Sequence, residues 1–540
     1  MAAAKRLSRL VPLVTDSQCQ WFSSEVVLPH LRARALSLSQ ILGRGALGLT
    51  LLAIATSLAG CSVAKPVVRN SDLRPNLVLL LSDDQRWDTL GCMGNPVIRT
   101  PHLDELAREG VLFRHAFVTT SVCSVSRASI LTGSYARTRG IGDLARMVTP
   151  TDPAATYPAI LRQHGYQTGH IGKWDVGIGE TGFQFGEGLF DYWAGDRFHG
   201  NYWHEADCKL VCADGWHDKA DGRCTCPPEG ALPRVGHAAM KQPRHFDQEI
   251  VPLKVKEFLR GRDAAKPFYL SVSFRSPKDP WSDYPDNVTN LYQGVTMPAP
   301  RTATRAESAR QPEFLQKSMG SEHGRRLVGD PEALATEMRQ YYRQISSLDA
   351  AVGKVRQLLA EAGVADSTVI VFTSDNGHFL GDHGFWGKWL PYEASIRVPL
   401  IVFDPRQSAK QRGSVCDEMV LNIDLAPTLL GLAGSRKPST MQGKDLAPLL
   451  HGKQPAWRTD SFYEHTWTAE GRIVPSEAVC SKEWKYIRYP GETPIVEQLF
   501  NLQTDTDETH DRIRDPECAA VARKMRGKLE AYQHDLASTQ

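Results

Sequence analysis

Cys123 and Arg127 stand four residues apart in Ser121-Val-Cys-Ser-Val-Ser-Arg-Ala-Ser-Ile-Leu-Thr-Gly133. A strand-like run, Val111 to Val118, leads into this stretch, and Gly133 offers the C-cap of a short helix leaving it. Cys123 therefore reads as a strand-to-helix turn residue, with the free N–H groups of the helix start aimed at whatever it meets. Such a turn favours bound anions. Arg127 lies about one helical turn on, so thiol and guanidinium can face the same anion. A buried cysteine beside a surface arginine is the competing reading of this pair taken alone.

Two pairs of hard-oxygen groups, Asp83-Asp84 and Asp375-Asn376, directly follow apolar runs, Asn76 to Ser82 and Thr368 to Thr373. Ligands of open α/β sheets bind at the carboxyl ends of strands. Three carboxylates and one amide oxygen suit Ca²⁺ or Mg²⁺ better than zinc. Either pair alone reads equally as turn and capping residues. Lys173 also follows a strand-like run, in Gly172-Lys-Trp174, and Lys388 falls in Gly384-Phe-Trp-Gly-Lys-Trp-Leu-Pro-Tyr-Glu393. His378 and His383 share that second segment. A histidine there could donate a proton, contact substrate, or bond to backbone.

The elements carrying these residues alternate. Helices are expected from Pro101 to Gly110, Thr156 to His164, Leu253 to Arg260, Pro331 to Ala362 and Asp424 to Leu432. Strands fall between them at Gln167 to Ile171, Pro267 to Phe274 and Val398 to Phe403. This is an α/β pattern, a large mixed sheet with helices on both faces. Thr289 to Gly329 reads as loop. From Trp457 the texture changes to polar strands and a final helix over Cys518 to His534, a small C-terminal α+β subdomain. The chain thus divides at 1–73, 74–456 and 457–540. An insert at about 183–244 carries Cys208, Cys212, Cys224 and Cys226; two disulfides or a zinc site would staple it.

With 63 Lys and Arg against 61 Asp and Glu, the chain is near neutral, and bulk charge gives no case for nucleic-acid binding. Any anion must be held by local cations. Ala46 to Gly60 is a small and apolar run preceded by Arg32, Arg34 and Arg44, shorter than the ~20 residues of a spanning helix. It ends Leu58-Ala-Gly-Cys61, similar to a lipoprotein cleavage box. Export is the expectation, to the periplasm or outer membrane as a lipoprotein, or by secretion. The alternative is a eukaryotic secretory route with a signal anchor. Either way the N-terminal segment could tether the chain to a membrane.

Cys123-Ser-Val-Ser-Arg127 followed by Ile-Leu-Thr-Gly133 resembles the signature of the type I sulfatases, of the alkaline-phosphatase-like superfamily. Thr156-Tyr-Pro-Ala-Ile-Leu161, Asp424-Leu-Ala-Pro-Thr-Leu-Leu430 and Met441-Gln-Gly-Lys-Asp-Leu446 extend the likeness over most of 74–515. The resemblance implies that a formylglycine-generating enzyme converts Cys123 to formylglycine (3-oxoalanine), the catalytic nucleophile. It implies Ca²⁺ on Asp83, Asp84, Asp375 and Asn376, with Arg127, Lys173 and Lys388 facing the sulfate and His378 as a catalytic candidate. It implies hydrolysis of a sulfate ester on a sulfated sugar or polysaccharide. An impaired relative that binds sulfated glycans, or a phosphoester or phosphonate hydrolase with the same apparatus, are the alternatives. Three positions depart from the pattern. Val125 replaces proline in the maturation motif, Asp175 replaces a histidine after Gly-Lys-Trp, and Lys278 replaces a histidine that contacts the anion or leaving group. Lys278 and His383 are the substrate-contact candidates.

Overall fold

The computed structural model describes residues 74–141, 153–177, 179–196, 202–204, 244–468 and 472–538. The N-terminal apolar run and the four insert cysteines lie outside them. Nine strands form one sheet: β1 (Asn76–Ser82), β2 (Val111–Phe117), β3 (Gln167–Lys173), β4 (Tyr192–Asp196), β5 (Phe268–Ser273), β6 (Thr368–Ser374), β7 (Arg397–Phe403), β8 (Ser414–Cys416) and β9 (Val420–Leu421). Their order is β8-β2-β7-β6-β1-β5-β3-β4, with β9 also on β2. Strands β6, β1, β5, β3 and β4 run parallel, and β7 is antiparallel to both β6 and β2.

β1 shows why its sequence is a continuous apolar run. Leu77, Leu79 and Leu81 point to one face and enter a core with the helices Cys123–Thr132 and Leu425–Leu432. Val78 and Leu80 point to the other and meet the helices Pro101–Glu109, Val251–Gly261 and Pro331–Glu361. A central parallel strand covered on both faces cannot alternate with polar residues. The 31-residue helix Pro331–Glu361 starts where the Asp330 side chain accepts from the Ala333 N–H.

A second, antiparallel sheet, β10 (Asp460–His465), β11 (Ser476–Ser481), β12 (Trp484–Tyr489) and β13 (Val496–Asn501), packs with the helix Ala519–Ser538. Phe462, Val479, Ile487 and Leu499 join the same core as Leu77 and Leu79. The stretch read as loop, Thr289 to Gly329, instead contains three helices, Arg305–Arg310, Glu313–Gln316 and Met319–Val328. They bury few apolar side chains, so hydrophobic periodicity is too weak to announce them; Thr304 capping the Glu307 N–H starts the first. Among the described residues no helix is long and apolar enough to cross a membrane.

Candidate active site

β1 and β6 are neighbours, so the residues that follow them meet. Asp375 N–H donates to the Ser82 carbonyl, and Asp84 N–H donates to Asp375 Oδ1 at 3.2 Å. Asp84 takes a left-handed turn, φ 62°, and its carbonyl accepts from the Tyr341 hydroxyl at 2.6 Å. The Asn376 amide donates to Asp84 Oδ1. The four oxygen-donor residues singled out in the sequence are thus one cluster, fully enclosed by protein.

Cys123 opens the helix Cys123–Thr132, which ends at Gly133 in the left-handed conformation, φ 61°. Its Sγ lies 3.6 Å from Asp83 Oδ1 and 2.6 Å from Lys388 Nζ. Candidate ligand atoms of Asp83, Asp84 and Cys123 all lie within 4.8 Å of one another. Lys388 also donates to Asp84 Oδ1, while Lys278 Nζ holds Asp84 Oδ2 at 2.7 Å. Lys173, at the end of β3, donates to Asp83 Oδ2 and sits 3.2 Å from Asp175 Oδ2. The side chain of Lys278 is about one-fifth exposed, whereas Lys173 and Arg127 are almost wholly enclosed.

Among the described residues, Arg127 braces the cluster with part of its guanidinium and leaves Nη2 buried without a hydrogen-bond partner. Its Nε donates to Asp375 Oδ2 at 2.8 Å and its Nη1 to the Lys173 carbonyl at 3.0 Å, with Nη2 3.5 Å from Asp83 Oδ2. The guanidinium therefore braces two carboxylates and the end of β3 at once.

The electrostatics follow from crowding of both signs. Burial alone would raise the Asp83 carboxyl, but Lys173, Lys278 and Arg127 hold it down at about 2. Asp84 goes well below the usual carboxylate range, because Lys278 and Lys388 outweigh its burial. Asp375 moves up, through burial and the neighbouring Asp83 charge. Burial, then the charge of Asp83, pushes the Cys123 thiol up to about 11. An unmodified Cys123 is thus a neutral thiol and a poor nucleophile at neutral pH.

His378 flanks the cluster. Its Nδ1 is 2.7 Å from the Phe379 carbonyl, and its ring packs edge-on against Trp281 and Trp386 at centroid distances of 5.1 and 5.5 Å. Burial lowers it to about 4, so it is neutral at pH 7. His383 is not brought to the cluster. Its backbone turns left-handed, φ 54°, and its ring faces Tyr392 and Gln311 beside a separate cavity of about 390 Å³.

Sequence reading missed the residues that brace the Lys388 segment. Trp389 O accepts from the Tyr463 hydroxyl of β10, and the Tyr392 hydroxyl donates to Gln498 of β13. Glu393 Oε1 accepts from Lys485 Nζ of β12 at 2.9 Å, and its N–H donates to Glu508 Oε2 at 2.8 Å. Lys485 also meets Glu508 Oε1 at 2.6 Å and is wholly buried. Burial opposes its charge, but the two glutamates raise its pKa. The only signal for this was a lysine inside the strand-like Trp484-Lys-Tyr-Ile run.

Four oxygen donors suit a hard divalent cation, and the surrounding cations suit an oxyanion placed beside Cys123. The family model described as sulfatase matches residues 75–435, and one described as N-sulphoglucosamine sulphohydrolase, C-terminal, matches 381–535. The chain is 27% identical to an N-acetylglucosamine-6-O-sulfatase of Bacteroides thetaiotaomicron, over 89% of each chain. It is 29% identical to an arylsulfatase of Clostridium perfringens, over 85% of this chain and 96% of the relative. A solved structure in complex with its substrate D-glucosamine-2-N,6-O-disulfate superposes with TM-score 0.69 at 25% identity, over 86% of this chain and 99% of the other. A match across two-thirds of the chain, on a fold that gathers one acidic cluster and four cations around Cys123, makes this chain a member of the sulfatase family.

Proposed function

We propose that the protein is an exported enzyme that removes sulfate from a sulfated sugar or polysaccharide. The observation that carries the reading is the convergence of Asp83, Asp84, Asp375 and Asn376 with Lys173, Lys278, Lys388 and Arg127 on the Cys123 side chain. A relative named N-acetylglucosamine-6-O-sulfatase and a similar structure holding D-glucosamine-2-N,6-O-disulfate support the sugar. Conversion of Cys123 to formylglycine would supply the nucleophile that the neutral thiol cannot. Calcium, on the four oxygen donors, would supply Lewis-acid stabilisation of the developing charge.

The chain's own residues do the rest. A sulfate monoester carries one negative charge, and charge moves onto the leaving oxygen as the ester bond breaks. Lys173 and Lys388 meet that charge with ammonium groups already held in place by carboxylates, so no solvent need reorganise. Arg127 favours the ionised forms of Asp375 and Asp83 against their burial and orients both carboxylates. Lys278, whose side chain is about one-fifth exposed, would meet the leaving group. His378, its Nδ1 held at a backbone carbonyl and its ring in an aromatic wall, is fixed beside Asp84 as a neutral imidazole.

Mass spectrometry of the peptide holding residue 123, from protein made in its native host, tests the nucleophile; only unmodified cysteine would overturn it. Turnover of p-nitrophenyl sulfate against p-nitrophenyl phosphate tests the reaction. Preferred cleavage of phosphate would assign the site to phosphoester hydrolysis.

A further inference from the structure

Lys278 lies in neither a strand nor a helix. It ends a turn, Arg275 to Lys278, that follows β5 and is closed by the Lys278 N–H donating to the Arg275 carbonyl at 2.8 Å. What fixes the start of that turn lies on another element. Asp247 sits in the short π-helical stretch Phe246–Ile250 that leads into the helix Val251–Gly261, and it is wholly buried. Its Oδ1 accepts from the Arg275 N–H at 3.0 Å. Its Oδ2 accepts from the Ser276 N–H at 2.9 Å and from the Ser276 hydroxyl at 2.6 Å. Burial pushes the Asp247 carboxyl up to about 6 while those donors favour the ion, so it is charged at pH 7.

The same turn touches the acidic cluster at two points. The Ser276 carbonyl accepts from the Asp83 N–H at 3.2 Å, and Lys278 Nζ holds Asp84 Oδ2 at 2.7 Å. Its far end is pinned as well: the Tyr202 hydroxyl donates to the Lys278 carbonyl at 2.7 Å, and Trp281 Nε1 to the Pro277 carbonyl at 2.6 Å. A carboxylate is the group that the near end requires. Three donors converge on its two oxygens, and an amide in its place would set a donor against a donor. Either the Arg275 N–H or the Ser276 pair would then lose its acceptor, inside a wholly buried contact. The turn would have to shift, and a misplacement of about 1 Å can cost about 10²-fold in rate.

We propose that Asp247 is a positioning residue for the reaction: by holding Arg275 and Ser276 it sets where Lys278 stands toward the leaving group. The proposal rests on the desulfation reading and adds to it a residue outside the reacting centre. Asp247 acts through the turn, and Lys278 carries the effect to the reacting atoms.

The test is a double-mutant cycle of Asp247→Asn with Lys278→Ala. Alone, Asp247→Asn should lower kcat/KM for p-nitrophenyl sulfate by about tenfold, less than the loss of Lys278 itself. The loss should be larger for phenyl sulfate, whose poorer leaving group leans more on Lys278. In the Lys278→Ala background Asp247→Asn should cost nothing further with either ester. A loss that persists at full size there runs through the Asp83 backbone or the fold and overturns the assignment. Wild-type activity in Asp247→Asn, or an equal loss with both esters, overturns it too. Crystal structures of wild type and Asp247→Asn need no turnover. Lys278 Nζ should stand about 1 Å or more from its wild-type place, and an unmoved Lys278 refutes the proposal. Should p-nitrophenyl sulfate not be hydrolysed by wild type, the desulfation reading fails while this comparison still decides Asp247. Should Asp247→Asn not fold, Ser276→Ala removes one of the three donors and should show the same pattern at about threefold. No loss in that variant would refute the brace.

Discussion

Lys485→Met should damage catalysis from the far side of the Lys388 segment. Methionine keeps most of the lysine's volume and removes its charge. Lys485 Nζ lies 2.9 Å from Glu393 and 2.6 Å from Glu508, all three being buried or nearly so. Removing one partner of a buried pair leaves an uncompensated charge and costs about 3–5 kcal/mol. Here both carboxylates lose Lys485, but Glu393 keeps Arg397 at 3.4 Å, so the one left without a cation takes up a proton. Glu508 is the acceptor, since burial and the adjacent Glu393 already raise it even with Lys485 present. In the variant the folded state then binds a proton that the unfolded state releases. Its stability must therefore fall as pH rises above the unfolded glutamate value, by up to about 1.4 kcal/mol per pH unit. Urea unfolding at pH 5 and pH 8 reads both the loss and its slope. Because Glu393 closes the stretch that starts at Lys388, kcat for p-nitrophenyl sulfate should fall about tenfold. That is less than the 10²- to 10³-fold typical of deleting a charge-stabilising group outright. Lys485→Arg should retain part of the activity, and Lys485→Met/Glu508→Gln should recover stability. If Lys485→Met unfolds within about 1 kcal/mol of wild type with normal kcat, the brace does not position Lys388.

Other expectations follow from the same geometry. Burial lowers His170 to about 3 and His465 to about 4. The unfolded state therefore holds more protons below about 6.5, and stability should drop as pH falls from there toward 4; His465→Phe should flatten part of that drop in acid-unfolding curves. Lys278→Ala, at a part-exposed position, should lower kcat/KM by about 10²-fold with little change in Tm, and an equal loss of both would make it a structural residue. Calcium added to chelator-treated protein should raise Tm, by about 2.7 kcal/mol of stabilisation at one hundred times its Kd. Asp84→Asn should abolish that rise, and a persisting rise would place the metal elsewhere.

The cluster was legible because its members sit at fixed places in the chain. Asp83 and Asp375 each follow an apolar run, and a central parallel strand buried on both faces has no other way to be written. Gly133 announced the end of the Cys123 helix, since a left-handed C-cap calls for glycine. What the sequence could not show is partnership across distance. Arg127 reads as an anion contact, and nothing local shows that its Nε also goes to Asp375 and its Nη1 to the Lys173 carbonyl, partners that only strand order brings near. Lys485 and Glu393 are ninety-two residues apart, and nothing local links them. The helices between Arg305 and Val328 escaped because they bury few apolar side chains; Met319–Val328 lies against the hairpin before Lys388 through Gly320 and Gly324.

Cys123, Val125 and Arg127 are each no more than about 5% exposed and lie inside a formed helix. Val125 is a member of the main hydrophobic core. A second enzyme that had to grip this segment in extended form would find it neither accessible nor extended. The proposed conversion of Cys123 therefore has a deadline. It must occur while the chain is still emerging or unfolded, and core formation around Val125 closes the opportunity. The fraction of molecules that become active would then reflect a race between two rates during synthesis. Slower folding, at lower temperature or with a weakened core, would raise the activated fraction without altering the finished site.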